Sequence, residues 1–158
     1  MNPNIIVKNA GKKGKGVFAT NPIKKGQVVI KWNIKHELNR DDLRSLSRYD
    51  KDHLNYIGRG KYIVMSSPEK FVNHSCNPNT YVKNGKDVAI RNIKKGEEIT
   101  SDYSANSLEK WQMKCYCKSK NCRKIIKCDY RELDDRTIEK LMPYLQNWFK
   151  SELKKTKQ

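Results

Sequence analysis

The sequence predicts a mainly β domain, built from several small sheets and closed by a C-terminal helix. Three observations carry this expectation. Over the first hundred residues, short runs rich in β-branched residues alternate with glycine turns. After about Ser104 this pattern gives way to a segment holding Cys115, Cys117, Cys122 and Cys128 within fourteen residues. From Asp134 onward, apolar residues recur at helical spacing.

The elements follow in order. Ile5 to Lys8 is a short apolar run, and Gly11, Gly14 and Gly16 punctuate the stretch after it. Val17-Phe18-Ala19 reads as a strand. Lys25-Gly26 makes a turn into a stronger strand, Gln27 to Trp32. Asn39 to Tyr49 reads as a short helix, with Asn39 as cap, Asp41 and Asp42 in the first turn, and Leu43 and Leu46 on one face. Gly58-Arg59-Gly60 turns into a strand from Lys61 to Met65. Asn84-Gly85-Lys86 is a hairpin signal ahead of an alternating strand, Asp87 to Ile93. The segment Ile-Lys-Lys-Gly occurs at both Ile23 and Ile93, which suggests two similar turn-then-strand units. Leu108 to Met113 is expected as a short helical turn. Asp134 or Asp135 caps a helix that carries Ile138, Leu141, Met142, Leu145 and Trp148 or Phe149 on one face. Pro143 should kink or restart it, and Lys154 to Gln158 should fray.

A chain of 158 residues, 36% of them hydrophobic, is most economically one domain with a modest core. No apolar run approaches the roughly 18 residues that a membrane span needs. The N-terminus lacks the layout of a signal peptide. A cytoplasmic or nuclear protein is expected, or one acting in a host cell if the chain is a viral or secreted effector. The net charge of +17 arises from 34 basic and 17 acidic residues. It suits encounter with nucleic acid, a nucleic-acid-bound protein or an acidic protein. It equally suits a solvated lysine-rich surface. Five cysteines without a secretory layout argue against a disulfide framework, and their clustering points to a metal.

Three segments carry chemistry. The first is Phe71-Val72-Asn73-His74-Ser75-Cys76-Asn77-Pro78-Asn79, whose dense polar side chains compete for backbone hydrogen bonds in a tight loop. The second, Gly96-Glu97-Glu98-Ile99-Thr100-Ser101-Asp102-Tyr103, is a strand that delivers a tyrosine at its end. The third is the cysteine cluster. Thiolates suit zinc, which takes four ligands in a tetrahedron. By spacing alone Cys115, Cys117, Cys122 and Cys128 form a local knuckle.

In this order, and with Gly14-Lys15-Gly16-Val17-Phe18-Ala19 and Lys25-Gly26 ahead of them, the segments resemble the SET domain of protein-lysine methyltransferases. Cys115-x-Cys117-x4-Cys122-Arg123 resembles its post-SET segment. The likeness covers roughly residues 5 to 128. It implies a SET domain over 4–104, a post-SET zinc-binding segment over 105–128 and a C-terminal helical extension over 129–158. It also implies a β-clip fold of small sheets, in which the Asn73–Cys76 segment and the strand ending in Tyr103 thread together as a pseudoknot. By the same resemblance one structural Zn2+ is held by Cys76, Cys115, Cys117 and Cys122, with Cys128 spare. This competes with the local knuckle.

The resemblance implies methyl transfer from S-adenosylmethionine to the lysine of a protein substrate, a histone or another nucleic-acid-associated protein. A free lysine has a pKa near 10.4, so neutralising it at pH 7 costs about 4.6 kcal/mol. A narrow apolar channel lowers that cost by desolvating the ammonium. By family position Tyr103 supplies the central hydroxyl, with Tyr56 or Tyr62 as a second channel tyrosine. Lys13, Gly14, Lys15 and Gly16 hold the cofactor's amino-acid end, Asn73 and His74 contact it, and Tyr116 packs on its adenine. Trp111 closes the channel or anchors the cysteine segment. Ser101, two residues before Tyr103, stands where several relatives carry an aromatic residue, so methylation beyond one methyl is expected. Lys118 stands where relatives carry a glycine, which should loosen that turn.

Overall fold

The computed structural model describes residues 2–106, 110–129 and 132–155, and side chains through Ser151. In chain order the strands are β1 (Ile5–Asn9), β2 (Lys15–Ala19), β3 (Val28–Lys31), β4 (Leu54–Gly58), β5 (Lys61–Val64) and β6 (Asn73–His74). They continue with β7 (Thr80–Val82), β8 (Lys86–Ala89), β9 (Glu98–Ser101), β10 (Gln112–Lys114) and β11 (Ile125–Lys127). Three α-helices complete the chain: α1 (Arg48–Asp52), α2 (Asp135–Leu141) and α3 (Asn147–Lys155).

The strands form four small sheets: β1-β2-β9-β6, β3-β8-β7, β4-β5 and β10-β11. The first two share one core. Val17 faces Ile99 across the β2–β9 pair, and neither is exposed to solvent. Val29, Ile30 and Trp32 meet Val82, Ala89, Ile93 and Ile63 in the same cluster. The two Ile-Lys-Lys-Gly segments lie against each other. Ile23 and Ile93 exchange backbone hydrogen bonds of 2.9 and 2.8 Å, and both are buried. The Gly96 amide donates to the Ala19 carbonyl, and the Gly26 amide donates to the Ala89 carbonyl. The repeated sequence therefore builds one two-fold-like staple between the first two sheets.

The hairpin joining β7 and β8 turns at Asn84 (φ 50) and Gly85 (φ 65), as the Asn-Gly pair predicts. Asp134 caps α2 by accepting from the Thr137 amide at 2.9 Å, and Pro143 lies in the 3-10 turn Met142–Tyr144 that separates α2 from α3.

Three expectations are corrected. The helix over Asn39 to Tyr49 is instead a 3-10 turn, Asp41–Ser45, followed by α1. Asn39 is not the cap; Ser47 caps α1 by accepting from the Asp50 amide. β4 was not anticipated. It pairs with β5 through the Gly58-Arg59-Gly60 turn. Gln112 and Met113, expected as the end of a helical turn, lie in β10. Of the rest of that expected turn, 108 and 109 lie outside the described residues. In the tail, Lys154 and Lys155 continue α3, and 156–158 lie outside the described residues.

The C-terminal helices bury Leu141, Leu145 and Phe149 against Ala105, in a second small core directly behind the Tyr103–Ala105 turn. Trp148 packs edge-on against Tyr56, with ring centroids 4.9 Å apart. It also covers Gly58 (φ +95), where an added Cβ would stand 2.7 Å from the indole Cγ.

Candidate active site

β6 has only two residues, yet it is firmly placed. It runs parallel to β9, pairing Asn73 with Thr100 and His74 with Ser101. The loop that follows is stitched to the same strand. The Ser75 amide donates to the Ser101 carbonyl (2.9 Å), and the Asn79 side chain bridges the Glu98 carbonyl (2.8 Å) and the Thr100 amide (2.9 Å). Asn79 is buried, so each of these bonds satisfies a group that has left water. The result sets the Asn73–Cys76 segment beside the strand that ends in Tyr103.

Tyr103 is held at both ends. Its amide donates to His74 Nδ1 (3.2 Å), and its hydroxyl donates to the Val72 carbonyl (2.9 Å). Burial pushes the phenol pKa well up, so the hydroxyl keeps its proton at neutral pH. Burial lowers His74 to about 4, against the opposing pull of the Asp102 carboxylate 3.6 Å away. His74 is therefore neutral at pH 7. Because Nδ1 accepts, the ring proton sits on Nε2, which lies 3.2 Å from Cys76 Sγ.

The glycine segment meets this pair at Asn73. The Asn73 side-chain amide donates to the Lys15 carbonyl (2.9 Å) and to Glu98 (2.9 Å), and Glu98 forms an ion pair with Lys13. Gly14 adopts φ 78, a conformation that glycine enters without strain. At Gly16 a Cβ would lie 2.8 Å from the Glu98 carboxylate and 2.9 Å from Ala10 Cβ. Lys15, Gly16 and Asn73 thus meet, with Glu98 and Lys13 beside them, and His74 follows Asn73 as a buried residue. Tyr116 is 41% exposed, with the Lys114 ammonium 5.8 Å above its ring.

The Sγ atoms of Cys76, Cys115, Cys117 and Cys122 all lie within 4.8 Å of one another. Cys128 is buried in the same cluster of side chains but stands outside that group of four. The Cys76–Cys115 separation is 3.8 Å. A tetrahedral ion with metal–sulfur bonds of about 2.3 Å has sulfur–sulfur edges of about 3.8 Å, so this donor set fits a zinc-sized tetrahedral ion. Lys118 adopts φ 57, so the turn forms without glycine at a left-handed position. Arg123 ties the cluster to the tyrosine. Its amide lies 3.3 Å from Cys76 Sγ, and its guanidinium donates to Asp102 at 2.6 Å. Lys140 on α2 donates to the Cys76 carbonyl (2.7 Å).

A cavity of about 480 Å³ opens beside Tyr103. Ser101, Val72, Tyr56, Trp111 and Met113 form its nearer walls. Tyr62 is not among its lining residues; it packs behind Tyr56, with centroids 5.1 Å apart. The Tyr56 hydroxyl accepts from the Gly60 amide (3.0 Å). Trp111 lies 6.1 Å from the Tyr103 ring and is 37% exposed, which places it at the cavity rim. The Lys13–Gly16 and Asn73–His74 segments do not line this cavity, whereas Tyr103 both lines it and contacts His74. Tyr103, partly buried, therefore links this cavity to the Asn73–His74 segment and the glycine segment bonded to it. Trp32, Glu69, Asp87 and Asn106, which also line the cavity, were missed as site residues. The alternation of β8 was their one available signal, since it sets Asp87 on the face of buried Ala89.

Comparison with known proteins agrees with this geometry. Residues 14–104 match the SET domain. The histone-lysine N-methyltransferase of Candida glabrata described as H3 lysine-36 specific is 35% identical over 135 residues, a match covering 75% of this chain and 19% of that protein. The protein of the same description from Saccharomyces cerevisiae is 34% identical over 128 residues, covering 70% and 17%. Among solved structures, KRYPTONITE in complex with mCHG DNA and SAH superposes with a TM-score of 0.63 at 25% identity, over 80% of this chain and 29% of that one. The chain spans less than a fifth of the length of these two curated relatives.

Proposed function

The chain belongs to the SET-domain family, and from that premise we propose that it transfers a methyl group from S-adenosylmethionine to a lysine side chain of a histone or another chromatin protein. The observation that carries the proposal is Tyr103, which lines the cavity together with Tyr56 and Trp111 and is bonded through its amide to His74, next to the Asn73 that meets the Lys13–Gly16 segment. A transfer between two ligands that enter from different sides needs one such shared point.

Bound S-adenosylmethionine supplies an activated methyl on a sulfonium. Gly14 and Gly16 let backbone approach its amino-acid end closely, and Lys13 and Lys15 flank them. Asn73 adjoins them through its bond to the Lys15 carbonyl, with His74 next in the chain, and Tyr116 offers a half-exposed ring for the adenine. The target lysine enters past Trp111 and Tyr56. The Tyr103 hydroxyl donates to the Val72 carbonyl, so its lone pairs are left to accept an N–H of the amine and aim the nitrogen. Holding the two reactants in line is the largest available contribution to rate. Ser101 is small and lines the cavity, which leaves room for an amine that already carries a methyl.

In this reading Cys76, Cys115, Cys117 and Cys122 hold one structural zinc. Residues 4–104 are the SET domain, 105–128 the post-SET segment and 129–158 a helical extension. Zinc pins a segment of low apolar content beside Tyr103, through Cys76 and Arg123. The ordering free energy from a structural zinc can reach about 10 kcal/mol or more. The surplus of basic residues suits a chromatin substrate in the nucleus, with added nonspecific contact to nucleic acid, although a cytoplasmic target has the same chemistry. Among the described residues no helix is long and apolar enough to cross a membrane.

The test pairs binding with turnover. Calorimetric titration of zinc-loaded protein with S-adenosylmethionine is expected to show one site. Tyr103→Phe should keep that site and lose most methyl transfer to core histones. Zinc-loaded protein that binds no S-adenosylmethionine would leave a basic zinc-containing nucleic-acid module as the better reading.

A further inference from the structure

Two buried acids line the cavity beside Tyr103. Asp87 on β8 and Glu69 in the 3-10 turn Glu69–Phe71 both line it, and they are 1% and 3% exposed. Among the described residues neither carboxylate has an ion-pair partner. Burying two acids without a cation is costly unless a cation arrives or one acid holds a proton. The two are not equivalent. Glu69 Oε1 accepts from the Ser66 hydroxyl (2.7 Å), the Ser66 amide (3.3 Å) and the Asn33 amide (3.2 Å). Asp87 Oδ2 accepts from the Trp32 indole (2.7 Å). Burial pushes the Asp87 carboxyl up to about 7; the indole opposes this and the Glu69 charge adds to it.

A second observation points to a cationic guest. Asn106 lines the same cavity, is 8% exposed, and its Oδ1 is buried with no hydrogen-bond partner among the described residues. An orphaned acceptor and two carboxylates lining one cavity match an N–H donor bearing positive charge. The cations nearby do not meet that need. Lys70 turns its ammonium to the Tyr49 hydroxyl (2.7 Å), and Lys51 stands exposed on α1. The other titratable groups facing the cavity are Tyr103, Tyr56, His53 and Asp52.

We propose that Asp87 is a further catalytic residue, which draws in the ammonium of the target lysine and takes one of its protons. This rests on the methyl-transfer reading above and deepens it. The step balances. The ammonium N–H bond breaks, its electron pair stays on nitrogen, and the proton goes to an Asp87 carboxylate oxygen. The neutral amine then forms the N–C bond as the C–S bond of the sulfonium breaks and its electrons return to sulfur. Asp87 loses its proton to water before the next turn. A base that titrates near the working pH is the best matched for this transfer. The positive sulfonium makes loss of the ammonium proton easier.

The experiment is the pH profile of single-turnover methyl transfer to core histones, at saturating S-adenosylmethionine. Asp87→Asn keeps an acceptor for the Trp32 indole and removes the base. Its cofactor affinity should stay within about twofold of wild type, while its rate at pH 7 falls at least about 30-fold and recovers toward wild type as the pH approaches 10. A rate at pH 7 equal to wild type, or a loss that is the same at every pH, overturns the assignment. The unsubstituted protein gives an independent arm that needs no variant to fold. Its rate should climb with pH only to about 7 and then level, and a tenfold climb per pH unit through pH 9 overturns the proposal. Cofactor binding with no transfer to any protein by the unsubstituted chain would remove the functional reading itself, and this assignment with it.

Discussion

The clearest prediction concerns how tightly the four thiols hold zinc as the pH changes. Cys76 and Cys115 stand 3.8 Å apart, and burial pushes both thiol pKa values up. Two thiolates at that distance would repel by about 4 kcal/mol at an effective dielectric near 20, so without metal they keep their protons. Cys117 goes the other way. Burial opposes ionisation there, but the Ser119 hydroxyl 3.1 Å away and nearby amides bring it down to about 6. At pH 7 zinc must therefore displace at least two protons, from Cys76 and Cys115. Protons compete with the metal, so affinity is lost as the pH falls. With two protons released the apparent affinity should drop at least about 100-fold per pH unit, near 2.8 kcal/mol. Competition titration against a chromophoric chelator between pH 6.5 and 8 measures this slope. Cys76→Ser should lower the slope by about one proton and weaken affinity at pH 7.5 by about 100-fold or more. A slope below one in the unsubstituted protein, or an unchanged slope in Cys76→Ser, would refute the four-thiol site.

Other outcomes follow from the packing and the site. Tyr103→Phe should slow transfer by roughly 10²–10⁴-fold with cofactor affinity nearly unchanged, read by calorimetry and labelled-methyl incorporation. Gly16→Ala forces a Cβ to 2.8 Å from Glu98, so S-adenosylmethionine affinity should fall about tenfold or more in the same titration. Ser101→Phe should fill the cavity beside Tyr103 and stop the product at monomethyl-lysine, whereas the unsubstituted protein proceeds further; mass spectrometry of exhausted reactions decides. Phe149→Ala removes a ring that is 1% exposed behind the Tyr103–Ala105 turn and should cost about 3–5 kcal/mol in chemical denaturation.

The parts of the fold legible in the sequence are those set by local chemistry. Asn84-Gly85 dictates a hairpin, Asp134 caps α2, and Pro143 ends it, all through near-neighbour backbone geometry. β4 was hidden because its first four residues are all half-buried, so no polar alternation marks it. The 39–49 segment misled because its opening looks like a helix start, yet the 3-10 turn Asp41–Ser45 ends at Leu46 in extended backbone (ψ 141) before α1 begins. The Asn73–Cys76 and Glu98–Tyr103 motifs were legible as motifs. Their parallel pairing was not, since a two-residue strand has no periodicity to read. Spacing offered Cys128 as the fourth member of the cysteine set, and the family resemblance offered Cys76 instead. The passage of β6 beside β9 brings Cys76 to the other three thiols, a long-range fact that no local pattern records. Asp87 escaped notice for a related reason. Its contact with the Trp32 indole spans 55 positions in sequence, so no local pattern records it.

The central claim, methyl transfer to a protein lysine at Tyr103, is tested most directly by one measurement. Zinc-loaded protein is incubated with isotopically labelled S-adenosylmethionine and core histones, beside Tyr103→Phe, and the products are mapped by mass spectrometry. The expected result is labelled methyl on lysine side chains with the unsubstituted protein and almost none with Tyr103→Phe. Label on another residue type, or equal labelling by the two proteins, would contradict it.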